Sequence, residues 1–247
     1  MTDYDAATYG ERIADVYDAR YGGRLDTDAT VAFLAELAAG GPVLELGIGT
    51  GRVALPLAER GVEIHGIDAS EAMVVRLRAK PGGSDIPVTI GDFAEVGVEG
   101  QFSLVFVVFN TFFALLTQDD QVRCFRNVAA HLAEGGLFVV EAFVPNLARF
   151  VRDQNCEVVR ADADGVDLDV ARHDRVQQRI TAQHVVIRGD GIRLYPVRLR
   201  YAWPSELDLM ARLAGLRLRE RWGGWRREPY SASSTQHVSV YERGNGA

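Results

Sequence analysis

The residues that decide the fold form a short apolar run followed at once by a glycine-rich turn. They are Val43-Leu44-Glu45-Leu46-Gly47-Ile48-Gly49-Thr50-Gly51. The part up to Leu46 has the length and apolar character of a buried strand, and a helical pattern begins after Gly51. Glycines allow a sharp turn and a close approach of the backbone to a ligand. The order strand, glycine-rich loop, helix predicts a ligand site beyond the carboxyl end of a parallel strand.

Further strands and helices alternate downstream of this loop. The ranges 62–67, 88–90, 102–109 and 137–143 are predicted strands, and helical segments lie between most of them. Ser70 is the predicted N-cap of the helix after the first of these strands. Strands that alternate with helices in this way predict a parallel sheet with right-handed crossovers.

The pattern changes after Pro145. From about residue 155 to residue 203, apolar and polar residues alternate with period two, and glycine-containing turns divide the segment. This alternation predicts a small antiparallel sheet inserted into the parallel one. Five apolar and aromatic residues are expected on one face of its last strand: Tyr195, Val197, Leu199, Tyr201 and Trp203.

The chain is therefore predicted to be an α/β protein with four regions. They are an N-terminal helical cap (1–40), a Rossmann-like core (41–145), an antiparallel β insertion (146–203), and a helix and strand pair that close the core (204–247). A small ribbon is only marginally stable alone, so the apolar face of the insertion must be covered. We expect it either to roof the substrate pocket or to form the interface of a homodimer.

Composition and charge exclude several classes of protein. The chain has 27 basic and 34 acidic residues and a net charge of −7, whereas proteins that neutralise many phosphates are usually basic. Its two cysteines have no metal-ligand spacing, so no metal site is predicted. No run approaches the ~20 apolar residues of a membrane span, and the acidic N-terminus does not resemble a secretory signal. We expect a cytoplasmic protein that binds neither nucleic acid nor a membrane.

Two details of the glycine loop indicate its ligand. The dinucleotide fingerprint requires a glycine at position 52, but Arg52 stands there and the third glycine is Gly51. Glu45 ends the strand before the loop, where a carboxylate would repel a pyrophosphate. A ligand with ammonium and sulfonium groups and no phosphate, such as S-adenosylmethionine, suits a carboxylate at this position.

Two acidic residues after the next strands complete the pattern. Asp68 lies 21 residues beyond Gly47, at the distance where an acid accepts hydrogen bonds from ribose hydroxyls. The alternative is a surface aspartate near the start of a helix. Asp92, within Gly91-Asp92-Phe93, could accept a hydrogen bond from the adenine amino group.

These motifs resemble those of class I S-adenosylmethionine-dependent methyltransferases. The resemblance rests on residues 43–51, on Gly66-Ile67-Asp68-Ala69-Ser70 with Met73, and on Gly91-Asp92-Phe93. It implies a seven-stranded sheet whose last strand is antiparallel. It also implies a cofactor site: Glu45, Gly47, Gly49 and Gly51 around the methionine moiety, Asp68 on the ribose, Ala69 and Met73 against adenine, Asp92 on its amino group with Phe93 beside it, and the backbone near Phe109 at the ammonium end.

The ends of the chain and the insertion are also similar to small-molecule N-methyltransferases of the amino-sugar and glycine types. This similarity suggests that an N-terminal tyrosine contacts cofactor or substrate. Arg52 could pair with the cofactor carboxylate, and the alternative is a helix residue in a surface ion pair. The candidate catalytic residues are Tyr17, Tyr21 and Asn110. Tyr201 and Trp203 are the candidate substrate-binding residues.

Three functions fit these residues. The first is methyl transfer to a nitrogen or oxygen of a small-molecule acceptor, with release of S-adenosylhomocysteine. The second is a nicotinamide-dependent oxidoreductase, which Glu45 and the glycine spacing disfavour. The third is a silent S-adenosylmethionine-binding scaffold, since a cofactor motif reports binding and not turnover.

Overall fold

A computed structural model of the chain describes residues 4–22 and 26–244. Its helices are α1 (Thr8–Tyr21), α2 (Thr27–Ala38), α3 (Ala54–Glu59), α4 (Glu71–Arg78), α5 (Gln118–His131) and α6 (Pro204–Leu213), with short 3-10 turns at Thr111–Ala114 and Leu147–Arg149. Its strands are β1 (Val43–Leu46), β2 (Ile64–Asp68), β3 (Val88–Ile90), β4 (Phe102–Val107), β5 (Leu132–Phe143), β6 (Gln154–Asp162), β7 (Gly165–Asp174), β8 (Arg179–Arg188), β9 (Gly191–Arg200), β10 (Leu216–Trp222) and β11 (Gln236–Arg243). The predicted cap and closing region also include residues 1–3, 23–25 and 245–247, which lie outside the described residues.

Seven strands form one sheet in the order β10-β11-β5-β4-β1-β2-β3. All neighbours pair in parallel except that β11 is antiparallel to both β5 and β10. The expected Rossmann-like sheet with an antiparallel last strand is confirmed. One boundary was wrong: β4 ends at Val107 and not at position 109, because Phe109 and Asn110 have positive φ and turn the chain.

The central strands are buried on both faces because helices cover both sides of the sheet. Alternate residues of β1 belong to different apolar clusters. Val43 packs with residues of α2 and α3, and Leu44 packs with residues of α5 and α6. A strand buried on both faces needs a continuous apolar sequence, which explains why the run before Gly47 has no period-two alternation.

The insertion is a separate four-stranded antiparallel sheet in the order β6-β7-β8-β9, as its alternating sequence predicts. One of its cross-strand rows joins Asp169, His184 and Tyr195. Residues in register share a face of the sheet. Tyr195 packs with residues of α1, so this row faces the N-terminal helix and the core behind it.

Helix α1 connects the glycine loop, α4 and the insertion. Ser70 Oγ donates a hydrogen bond of 2.8 Å to Glu11, Lys80 Nζ lies 2.7 Å from the Asp18 carboxylate, and Arg20 lies 3.7 Å from Asp169. α1 approaches α4 closely at Gly10, where an added Cβ would lie 2.4 Å from Ser70 Cβ. None of the described helices has the length and apolar character needed to cross a membrane.

Candidate active site

The conformation of the glycine loop is fixed by its three glycines and by one carboxylate. Gly47, Gly49 and Gly51 have φ values of 74°, 56° and 79°, in the left-handed region that favours glycine. The Asp68 carboxylate accepts hydrogen bonds from the N–H groups of Gly49 (2.7 Å) and Ser70 (2.8 Å). Burial raises the pKa of Asp68, and these two donors partly offset the rise. Asp68 therefore fixes the loop against the end of β2.

A cavity opens beside this loop, and we call it the loop cavity. Seven of the predicted cofactor-binding residues line it together: Gly47, Gly49, Asp68, Ala69, Met73, Asp92 and Phe93. Tyr9, Gly10 and Tyr17 of α1 also line the loop cavity. The predicted site is thus assembled from the ends of β1, β2 and β3, with α1 across it.

Gly51 does not line the loop cavity. An added Cβ at Gly51 would lie 2.3 Å from Leu77 Cδ1. Its place in the motif is explained by the packing of the loop against α4 and by its positive φ, without a ligand contact. Its assignment to the cofactor site stays a prediction.

Glu45 and Arg52 both carry buried polar atoms that have no hydrogen-bond partner in the described part of the chain. Glu45 is 3% exposed, and its Oε2 has no hydrogen-bond partner among the described residues. The same holds for all three guanidinium nitrogens of Arg52, which stacks over the Phe109 ring at 3.3 Å. Burial raises the pKa of Glu45 well above its usual value, and the Arg52 charge opposes that rise. An unpartnered carboxylate oxygen and an unpartnered guanidinium fit the ammonium and carboxylate of an amino-acid moiety.

A second cavity adjoins the loop cavity, and we call it the tyrosine-lined cavity. The two cavities share Tyr4, Tyr9, Tyr17, Thr111 and Ala114. The tyrosine-lined cavity also contains Tyr21, Arg52, Phe109, Asn110, Glu141, Phe143, His184, Val197 and Leu199. Its walls therefore come from α1, from the turn after β4, from β5 and from the insertion.

The turn after β4 is fixed by two side-chain contacts. The Phe109 N–H donates a hydrogen bond to the Glu141 carboxylate, and the Asn110 side-chain oxygen accepts one of 2.6 Å from the Phe143 N–H. Burial raises the pKa of Glu141 to about 7, although the Phe109 N–H and the Arg52 charge act in the opposite direction. Asn110 thus braces the turn, and its catalytic role stays a prediction.

Two further residues of the site were not identified from the sequence. His184 lines the tyrosine-lined cavity, with Nε2 lying 3.5 Å from the Tyr21 hydroxyl. Its Nδ1 is hydrogen-bonded to the Asp169 carboxylate. Asp169 and His184 lie on separate strands, and the register of the β7–β8 hairpin brings them together.

The two predicted substrate-binding residues lie elsewhere. Tyr201 is 2% exposed, its hydroxyl lies 2.9 Å from His173 Nε2, and it lines a different cavity between Phe143 and Phe150. Trp203 is 40% exposed, precedes α6 and lines neither the loop cavity nor the tyrosine-lined cavity. The expected continuous face is wrong beyond Arg200, because β9 ends there and the chain turns into α6.

Several known proteins are similar to this chain. Residues 43–136 match the family described as Methyltransferase domain. The chain is 30% identical over 207 residues to the cypemycin N-terminal methyltransferase of a Streptomyces species, covering 83% of this chain and 84% of that protein. It is 28% identical over 143 residues to the dTDP-4-amino-2,3,4,6-tetradeoxy-D-glucose N,N-dimethyltransferase of Saccharopolyspora spinosa, covering 55% and 56%. The structure of the CcbJ methyltransferase from Streptomyces caelestis superposes with a TM-score of 0.92 at 45% identity, covering 98% of this chain and 100% of that one.

A Rossmann-like sheet with this glycine loop and a carboxylate at the end of β2 defines a nucleoside-binding α/β enzyme. The chain belongs to the class I S-adenosylmethionine-dependent methyltransferases. The methyl donor is accordingly S-adenosylmethionine, and the oxidoreductase alternative is set aside.

Proposed function

We propose that the enzyme transfers a methyl group to a nitrogen of a small-molecule amine bound in the tyrosine-lined cavity. The observation that carries this proposal is the junction of the two cavities at Tyr9, Tyr17 and Thr111, with Glu141 buried in the second one. A carboxyl group among the four tyrosines that line this cavity favours an amine over an alcohol. The names of two relatives, an N-terminal methyltransferase and a sugar N,N-dimethyltransferase, support nitrogen as the acceptor atom.

The residues of the site would divide the work. The glycine loop and Asp68 would hold the nucleoside, Glu45 and Arg52 the amino-acid end, and Tyr17 and Tyr21 the acceptor. When bound, the cofactor supplies an electrophilic methyl carbon on a sulfonium sulfur that leaves with the electron pair. The main task of the protein is then to hold the acceptor nitrogen in line with that carbon, and positioning of this kind supplies several kcal/mol.

A panel of acceptors tests the choice of nitrogen. Methyl transfer from isotope-labelled S-adenosylmethionine is measured with a peptide bearing a free N-terminus, an amino sugar, a secondary aliphatic amine, the alcohols that match them, and a phenol. We expect methylation of at least one amine and none of its matched alcohol. Preference for an alcohol or the phenol would instead establish an O-methyltransferase, and tight binding of S-adenosylhomocysteine without turnover would favour the silent scaffold.

We also propose that the enzyme is a homodimer formed through the outer face of the insertion. On that face Val158, Val170, Ile192 and Leu194 are between 39% and 66% exposed, more apolar surface than a lone sheet usually presents to water. The face is opposite to the row of Asp169, His184 and Tyr195, so a dimer there leaves the site accessible. Sedimentation of the native protein and of Ile192→Asp tests this, and a native monomer would reject it.

The cytoplasmic location stays a prediction.

A further inference from the structure

The proposed division of work leaves Asp169 and His184 without a role. Asp169, His184 and Tyr21 form a chain of contacts from the insertion sheet to α1, and it ends in the tyrosine-lined cavity. The Tyr9 hydroxyl donates to the Tyr21 hydroxyl at 3.4 Å, and the Tyr17 and Tyr21 rings lie 5.0 Å apart. A polar path therefore runs from Asp169 through His184 and Tyr21 to Tyr9, which lines both cavities.

The register of the insertion fixes the carboxylate beside the imidazole. Asp169 is directly opposite His184 in the β7–β8 ladder, and both project from the face that α1 covers. Arg20 of α1 lies 3.7 Å from Asp169 and adds a positive charge. Burial acts to raise the pKa of Asp169, but the hydrogen bond with His184 and the neighbouring positive charges outweigh it, so the pKa lies below its usual value.

An ionised carboxylate can only accept hydrogen bonds, so the bond between Asp169 and His184 requires a proton on Nδ1. In a neutral imidazole the other nitrogen then carries a lone pair. That nitrogen is Nε2, which lies 3.5 Å from the Tyr21 hydroxyl on the cavity side. His184 is thus oriented as a proton acceptor directed at the cavity, with Asp169 setting its tautomer.

The charged and titratable groups around His184 come from six parts of the fold. On α1 they are Tyr9, Tyr17, Arg20 and Tyr21; on β7 they are Asp167 and Asp169; on β9 they are Tyr195 and Arg198; on β5 there is Glu141; Tyr4 and Arg52 complete the cavity wall. Arg20 also lies 3.9 Å from Asp167, and Asp167 is 2.7 Å from Arg188. Asp167 thus pairs with Arg188, whereas Asp169 is the carboxylate hydrogen-bonded to His184.

We propose that His184, oriented by Asp169, receives through the Tyr21 hydroxyl the proton that an acceptor amine loses before methyl transfer. This inference rests on the proposed function, since an alcohol or phenol acceptor would present different chemistry. His184 and Tyr21 act on the proton itself, whereas Asp169 is a positioning residue.

The acceptor amine must lose one proton before it can attack. An aliphatic amine enters as an ammonium, which has no lone pair and cannot attack a methyl carbon. One of its N–H protons passes to the Tyr21 oxygen while the Tyr21 hydroxyl proton passes to His184 Nε2. The amine becomes neutral and nucleophilic, Tyr21 is restored, and the imidazolium pairs with the Asp169 carboxylate until the proton returns to water. No co-reactant is needed.

The kinetic test uses the amine that the acceptor panel identifies, over a range of pH. Loss of a general base typically costs at least ~100-fold in rate. His184→Gln should therefore lower kcat by about that factor at pH 7, and the deficit should shrink as pH rises and the free amine becomes abundant. Asp169→Asn should show a smaller loss with the same pH trend. His65→Gln, a partly exposed histidine on β2, and Asp190→Asn, at the exposed β8–β9 turn, are the matched controls and should behave as the native enzyme.

Two other measurements separate this proposal from misfolding and from failure of the proposed function. Calorimetry with S-adenosylhomocysteine should give native affinity for His184→Gln. In nitrogen-15 histidine-labelled protein bound to S-adenosylhomocysteine, His184 is one of five histidines and should appear as the Nδ1–H tautomer, with both tautomers present in Asp169→Asn.

A native kcat in His184→Gln, or a deficit equal at every pH, would overturn the proposal. If the panel yields no methylated amine, the proposed function has failed, and the tautomer alone decides the role of His184. An Nε2–H tautomer would then refute it, because Nε2 would have no lone pair for the Tyr21 hydroxyl.

Discussion

At the scale of single residues, Asp68 fixes the glycine loop and is proposed to hold the ribose of the cofactor as well. Its carboxylate accepts N–H bonds from Gly49 and Ser70, and each oxygen still has a lone pair directed elsewhere. Asp68→Ala removes the loop contacts together with the proposed ribose contacts. Because charge-assisted hydrogen bonds are worth roughly 1.5–3 kcal/mol each, we expect affinity for S-adenosylhomocysteine to fall by a few kcal/mol. Calorimetry measures this, with the exposed Asp85→Ala as control; an unchanged dissociation constant in a folded Asp68→Ala would exclude the ribose role.

Gly51 provides a test of packing that is independent of any ligand. Gly51 and Gly40 both have φ of 79°, but an added Cβ at Gly40 meets nothing within 4 Å, whereas at Gly51 it meets buried Leu77 at 2.3 Å. Alanine should cost about 1–2 kcal/mol at either position for the left-handed backbone. Overpacking should add about 1–3 kcal/mol at Gly51 alone. Urea unfolding of both variants measures the difference, and equal losses would show that Leu77 moves aside freely.

The raised pKa of Glu141 predicts how the free energy of unfolding depends on pH. Its pKa is about 7 in the folded chain and near 4.5 when unfolded, so between these values the folded state binds more protons than the unfolded state. The contribution of Glu141 to stability therefore falls as pH rises through this window, by about 3 kcal/mol at most. Glu141→Gln should remove that loss and be more stable than the native protein at pH 8, with little difference at pH 4.5. Urea unfolding at both pH values provides the check, and a native pH slope in the variant would contradict it.

At the scale of elements, α1 acts as the cover of the loop cavity. The Asp18 carboxylate accepts a 2.6 Å hydrogen bond from Thr50 and pairs with Lys80, which ties α1 to the loop and to the end of α4. We expect Asp18→Ala to speed dissociation of S-adenosylhomocysteine several-fold, since opening of α1 then breaks fewer contacts. Asp15→Ala is the control, because the Asp15–Arg76 pair joins the same helices but is largely exposed and worth little. Stopped-flow displacement measures both rates, and identical rates would show that α1 does not gate the site.

Elements that depend on neighbours in sequence could be predicted, and those that depend on pairing between distant segments could not. The loop after β1, the Ser70 cap of α4 and the alternation in the insertion are local signals, and the structure contains all three. The contact of His184 with Asp169 follows from hairpin register, and that with Tyr21 follows from the docking of α1. Tyr201 and Trp203 were misplaced because the period-two pattern continues past Arg200, where the backbone leaves the strand.

At the scale of the whole molecule, the insertion contributes to one of the two adjoining cavities and not to the other. Residues at the ends of β1, β2 and β3 line the loop cavity, and β5 lines the tyrosine-lined cavity. β9 of the insertion contributes Val197 and Leu199 only to the tyrosine-lined cavity. Leu199→Ala should therefore raise the KM of the acceptor amine several-fold, because it removes apolar surface worth about 1–3 kcal/mol in a pocket. The affinity for S-adenosylhomocysteine should stay within about twofold of native, since Leu199 is absent from the loop cavity.

Trp203→Ala is the informative comparison for this last prediction. Trp203 is the larger and more exposed side chain, and the sequence pattern alone placed it on the same face as Leu199. Because the chain turns away before it, its removal should change neither the KM of the acceptor nor the affinity for S-adenosylhomocysteine. Steady-state kinetics with the amine from the acceptor panel, paired with calorimetry, measures both quantities. If Trp203→Ala raised the KM while Leu199→Ala did not, the acceptor would lie near α6, outside the tyrosine-lined cavity, and the insertion would be left with assembly as its role.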